Sequence, residues 1–235
     1  MKGVRRLLGV VLVSGVLVAC GTSGDSGTSE AGATESSTSG GGVSEADATA
    51  ATLLDAGFGQ QDQFVWVTAL VRNDSDTVGQ TVIVHFNALD ASGNTIKSAD
   101  QVEAFSRPGE TLAVGTQMTV SQEEVAKVKA NLLVEDSGAF SDEPFPTMPV
   151  SDMQVTKRQY GGWQAQFTLK NPTSEPVQNP RIGIVCFAGD TIIGGRSTYP
   201  ALVPANGTTV VESDVMVSGK PERCEAYVGA PAARS

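Results

Sequence analysis

Histidine is nearly absent from this chain: His85 is the only one in 235 residues. That excludes a metal centre built on several imidazoles. Only three cysteines are present, Cys20, Cys186 and Cys224, too few for a zinc site of four thiolates or a disulfide-dense scaffold. No apolar run approaches the ~20 residues that a membrane-spanning helix needs; the N-terminal one covers only Leu7 to Ala19. Basic residues are scarce, 16 against 26 acidic, for a net charge of −10. An acidic surface repels nucleic acid and other polyanions. Also missing are G-x-S-x-G, S-x-x-K, H-E-x-x-H and a glycine-rich phosphate loop, the arrangements that place a nucleophile, a zinc ion or a nucleotide. The expectation is a protein that is not an enzyme and takes no cofactor and no metal.

What is present begins with an address. Lys2, Arg5 and Arg6 precede the uncharged stretch Leu7–Ala19. A basic start, a short apolar middle and a small residue before a break are the parts of a secretory signal peptide. Leu17-Val18-Ala19-Cys20 resembles the lipobox of bacterial lipoproteins. The resemblance implies removal of residues 1–19 and lipid on Cys20, hence attachment to the outer face of the cell membrane. Two or three acyl chains give stable anchoring, because each buried methylene contributes about 0.8 kcal/mol. Gly21 to Gly42 is almost wholly Gly, Ser, Thr, Ala, Asp and Glu, with too little apolar surface to offset the entropy of ordering. Residues 20–50 therefore read as a disordered tether with an average reach of roughly 30 Å.

Beyond it the sequence repeats with a period of about 97 residues. "VWVTALVRNDSDTVGQTVIVHFNALDASGNTI" aligns with "WQAQFTLKNPTSEPVQNPRIGIVCFAGDTII", and "RPGETLAVGTQMTV" with "VPANGTTVVESDVMV". Apolar residues alternate in each copy, as half-buried strands require. Val65, Val67, Ala69 and Val71 share a face in the first, and Trp163, Ala165, Phe167 and Leu169 in the second. Turn chemistry separates the runs: Asn73-Asp74-Ser75-Asp76, Asn171-Pro172, Pro108-Gly109 and Asn206-Gly207. Six or seven short strands per copy predict an all-β chain of two tandem antiparallel sandwiches, at 51–140 and 150–231, joined by a Pro-rich linker at 141–149. Phe145 and Met148 make that linker apolar enough to pack.

The strand ends "VRNDSD" and "LKNPTSEP", the segments "ALDASGN" and "FAGDTII", and the turns "PGET" and "PANGT" resemble the small Ig-like FxLYD-type modules of bacterial envelope lipoproteins. The resemblance implies an Ig-like β-sandwich outside the cytoplasm, without an assigned activity. The literal Phe-x-Leu-Tyr-Asp string is not in the chain.

Two segments read as helical. Ser44 with Asp47 resembles a capping box, and Gly57 would close a short helix running into a strand; Leu54, Ala56 and Phe58 also alternate as a strand in their own right. Ser121-Gln122-Glu123-Glu124 reads as one helical turn. With Cys20 lipidated, Cys186 and Cys224 are expected to form a disulfide. Closing a loop of ~38 residues would stabilise by roughly 4 kcal/mol. If their strands flank a third, however, they stand ~9.5 Å apart, beyond the ~7 Å that a bridge spans. Either the strand order departs from the immunoglobulin pattern, or Cys224 precedes its strand.

The copies differ on one face. Opposite its core side, the first long strand of the second copy carries Gln164, Gln166, Thr168 and Lys170, whereas that of the first carries Phe64, Trp66, Thr68 and Leu70. An apolar outer face needs a cover, from residues 51–58, from the second copy, or from a partner held by Phe64, Trp66 and Leu70. Asn73-Asp74-Ser75-Asp76 reads as an Asx-type turn, with calcium binding the alternative. The functional expectation is a lipid-anchored extracytoplasmic binding or adaptor module, its partners being the membrane and another envelope protein; a structural spacer without a ligand is the alternative.

Overall fold

The computed structural model describes residues 51–121, 123–135 and 143–231, and every regular element in them is a strand. The N-terminal half contains β1 (Ala51–Gln61), β2 (Phe64–Asn73), β3 (Thr81–Leu89), β4 (Thr95–Ala104), β5 (Thr111–Thr119) and β6 (Lys127–Glu135). The C-terminal half contains β7 (Val150–Lys157), β8 (Trp163–Lys170), β9 (Val177–Gln178), β10 (Arg181–Ala188), β11 (Thr191–Thr198), β12 (Leu202–Val203), β13 (Thr208–Val217) and β14 (Arg223–Gly229). All pairings are antiparallel.

The sheet orders repeat. The first half forms β1-β2-β5 and β4-β3-β6; the second forms β7-β8-β13 and β11-β10-β14, linked into one six-stranded sheet by two pairings between β11 and β13. Each half encloses its own apolar core. Val65, Val67, Ala69, Val71, Val82, Val84 and Phe86 line the first, and Ala165, Phe167, Leu169, Ile182, Ile184 and Val211 the second. The period-two pattern puts these side chains on one face of each strand, as alternation requires. Removing a ring such as Phe86 or Phe167, each at most 1% exposed, costs about 3–5 kcal/mol.

One buried amide organises the same turn twice. Asn73 Nδ2 donates to the carbonyls of Thr77 (2.8 Å) and Arg107 (3.0 Å), while its Oδ1 accepts from the Ser75 amide (3.0 Å) and hydroxyl (2.7 Å). Asn171 Nδ2 donates to Glu175 (2.7 Å) and Val203 (3.3 Å), and its Oδ1 accepts from the Thr173 amide (3.0 Å) and hydroxyl (2.8 Å). Both asparagines are essentially inaccessible. The segment after Asn73 is thus an Asx turn.

Three expectations are corrected or resolved. Residues 51–61 form β1, a strand and not a helix; the capping residues Ser44 and Asp47 lie outside the described residues. A bulge between Leu53 and Asp55 shifts the register. Ala51, Leu53, Ala56 and Phe58 pack on the core, while Leu54 is exposed. Among the described residues of 121–124 there is no helix; the Glu123 amide bonds back to the Ser121 carbonyl at 2.8 Å. Finally, β10 and β14 are direct neighbours with Cys186 opposite Cys224. Their Cα atoms stand 4.0 Å apart and the disulfide is formed, so no third strand separates them.

Candidate functional site

The apolar face of β2 is closed by the C-terminal half. Leu70 and Ala113 of β2 and β5 meet Val185, Phe187 and Ile192 of β10 and β11, with Tyr227 at the margin. Trp66 is 7% and Leu70 8% exposed, leaving Phe64, at 39%, the accessible one of the three. Of the covers the sequence leaves open, the second copy is the one found over Trp66 and Leu70, so the partner alternative for these two side chains gives way to cover from inside the chain.

Arginines seal the rim. Arg196, half-buried, lies 5.7 Å over the Trp66 ring as a cation–π contact and donates to Gln117 Oε1 at 3.1 Å. Arg107 donates to the Val228 carbonyl at 2.6 Å and pairs with Glu110 at 3.0 Å. Arg181 reaches from β10 to Glu103 of β4, Nε to Oε1 2.6 Å, and donates to the Ala113 carbonyl at 2.9 Å. Burial raises the Glu103 carboxyl above its ordinary value, outweighing the opposing pull of Arg181 and the hydrogen bond from Gln101. A charge taken out of water costs more than one partner returns unless other polar contacts share it.

Glycines set the closeness of the union. A Cβ on Gly57 would fall 2.3 Å from the Ile192 carbonyl oxygen, and one on Gly59 2.4 Å from that of Met216. The Gln60 amide donates to Ser218 Oγ at 2.8 Å. Trp66 Nε1 is buried without an acceptor.

Elsewhere the surface offers less. His85 Nδ1 meets Asp100 Oδ1 at 2.6 Å across β3 and β4, both side chains being well exposed. An open cavity of about 370 Å³ is lined by Gln60, Asp62, Gln63, Glu123 and Glu124. Val102 and Leu133, each about half exposed, flank Ile83 in one row across β4-β3-β6. Hydrogen bonds from Thr52 and then Arg72 hold the Asp74 carboxyl below the usual range. Among the described residues no group of three or more His, Cys, Asp or Glu side chains is placed to hold a metal, and no helix is long and apolar enough to cross a membrane. Cys20 lies outside the described residues.

Sequence reasoning located the apolar face, from large side chains on both sides of β2. It missed Arg107, Arg181, Arg196 and Glu103, because charged residues in or beside strands carry no mark that distinguishes a buried role from a solvated one.

No family model matches the chain, and no curated protein does. Among solved structures, red sea bream transglutaminase is similar over 77% of this chain and 32% of its own, at 8% identity and a TM-score of 0.23. The chain thus spans about a third of that protein's length, and a likeness this slight carries no argument.

Proposed function

We propose that this chain is a lipid-anchored, extracytoplasmic binding or adaptor module of the bacterial cell envelope, made of two tandem Ig-like sandwiches (51–140 and 150–231) behind a Gly/Ser/Thr-rich linker. The observation that carries the reading is the basic, apolar leader ending in Leu17-Val18-Ala19-Cys20. The Cys186–Cys224 disulfide supports it, since such bonds persist in oxidising compartments. The Ig-like reading is supported by the repeated strand plan: β1-β2-β5 follows the A-B-E part of an immunoglobulin sheet, and β3 beside β6 corresponds to strands C and F.

Palmitate incorporation and partition into the detergent phase test the anchor. Wild-type chain is expected to carry label and to partition with detergent, and Cys20→Ala to lose both; a labelled Cys20→Ala chain would defeat the proposal. Crosslinking on intact cells tests the adaptor role, one discrete adduct being the expected result.

The second reading, a structural spacer, is favoured by the closed junction: Trp66 and Leu70 are buried between the halves, so the most apolar face is used to join the body together. An intact-cell experiment in which the lipidated protein gives no adduct would select it.

A further inference from the structure

We infer that β1 is a strap that passes a pull on the N-terminal chain into both halves at once, loading its hydrogen bonds in shear. The mechanical inference rests on the anchored reading above, since an anchor at Cys20 would deliver such a pull through residue 50 into Ala51.

Three sets of contacts define the strap. First, β1 is registered against β2 along its whole length, from Ala51 opposite Asn73 to Gln61 opposite Phe64. Ala51 therefore lies at the end where the Asn73 amide meets Arg107 and Arg107 meets Val228. Second, β1 crosses the C-terminal half at backbone contact through Gly57 on Ile192 and Gly59 on Met216. Third, Gln60 pins the opposite end. Its amide donates to Ser218, its Nε2 to the Glu123 and Asp62 carbonyls, and its Oε1 accepts from the Val125 amide.

The direction of load decides how these bonds break. A pull on Ala51, resisted at the Gln60 end, runs along the strand axis, so the β1–β2 bonds must fail together. A pull resisted at the Ala51 end peels the strand one pair at a time, beginning with Ala51 and Asn73. Lys220, exposed and two residues beyond Ser218, belongs to the Gln60 end, because Ser218 Oγ accepts from the Gln60 amide. Gly229, the last residue of β14, pairs with Arg181 beside Val228 and so belongs to the Ala51 end.

The test is single-molecule extension of the full mature chain held at Cys20 through its thiol. The second handle is placed either at Lys220, as Lys220→Cys, or at the carboxyl terminus. The expected result is a several-fold higher first rupture force through Lys220 than through the carboxyl terminus. A second comparison uses Gln60→Ala, which is expected to lower the force in the Lys220 geometry and leave the carboxyl-terminal one unchanged. Equal forces in the two geometries, or no effect of Gln60→Ala, would overturn the inference. Because attachment is through sulfur and not lipid, this outcome is independent of the palmitate experiment, and either idea can fail without the other.

Discussion

A carboxamide buried at a strand end has two donors and an acceptor oxygen to satisfy, and Asn73 and Asn171 satisfy them with the same set of turn atoms. Replacing either by alanine strands carbonyls and an amide inside the protein. The expected loss is about 2 kcal/mol for each, read from urea denaturation; a loss below a few tenths would show the turns hold without them. Glu103 makes a pH-dependent prediction. Its carboxyl is raised from an ordinary 4.5 by burial, so the folded state binds that proton more tightly than the unfolded chain. Its contribution is fully present below the unfolded value and is lost as pH rises through the folded one. Relative to Glu103→Gln, which cannot titrate, the wild-type thermal midpoint is therefore expected to fall as pH rises above the ordinary 4.5. A wild-type midpoint that instead rises relative to the variant would refute it. Asp74, shifted the opposite way, is common to both proteins and cancels. The Asx turn was legible from its Asn-Asp-Ser string, but the burial of Asn73 was not, because that depends on loop 105–110 folding over it.

At the scale of elements, β1 shows where pattern reading stops. Ala-rich residues satisfy helix and strand patterns alike, and the bulge places Leu54 outward although the alternation with Ala56 and Phe58 points it in. Gly57, which looks like a helix stop, and Gly59 both stand at backbone contact with the other half. Gly57→Ala brings a Cβ within 2.3 Å of a backbone oxygen and is expected to cost about 1–3 kcal/mol, as overpacking does, with a red shift of Trp66 emission in a Trp163→Phe background. Gly93→Ala, with open space around it at φ 86°, strains only its own turn and should leave Trp66 unmoved. Equal spectral shifts in the two variants would separate Gly57 from the junction. For β10 and β14, the chain spacing of the cysteines was readable, but strand adjacency is a property of the sheet and not of linear order. Removing the bond as Cys186→Ala/Cys224→Ala is expected to cost about 4 kcal/mol in the chain-entropy account, measured by calorimetry.

The whole molecule packs two like-built halves through unlike faces: β11-β10-β14 of one on β1-β2-β5 of the other. A head-to-tail contact of this kind can propagate if the unused faces match. They do not. The counterparts of Leu70 and Ala113 in the second half are Thr168 and Val210, and those of Val185 and Phe187 in the first are His85 and Asn87, which are paired with Asp100 and Ser98. With Thr168 in place of Leu70, and His85 and Asn87 engaged within their own sheet, the unused faces do not reproduce the apolar contact of the junction, so the protein is expected to remain monomeric by light scattering as concentration rises. Growth in mass along a linear series would contradict that mismatch. That the outer face of β2 needs a cover was legible from apolar residues on both its sides; that the second copy supplies it, and in which orientation, was not, since this is set by Gly57, Gly59 and three arginines whose partners lie far away in sequence.

The position of the disulfide also sets an order of events. Cys224 sits in β14, and its partner waits 38 residues earlier in β10. Oxidation to the native pair cannot precede synthesis of β14, and a nascent chain stopped short of Arg223 would carry Cys186 without its partner. The bond therefore reports that β14 has reached β10.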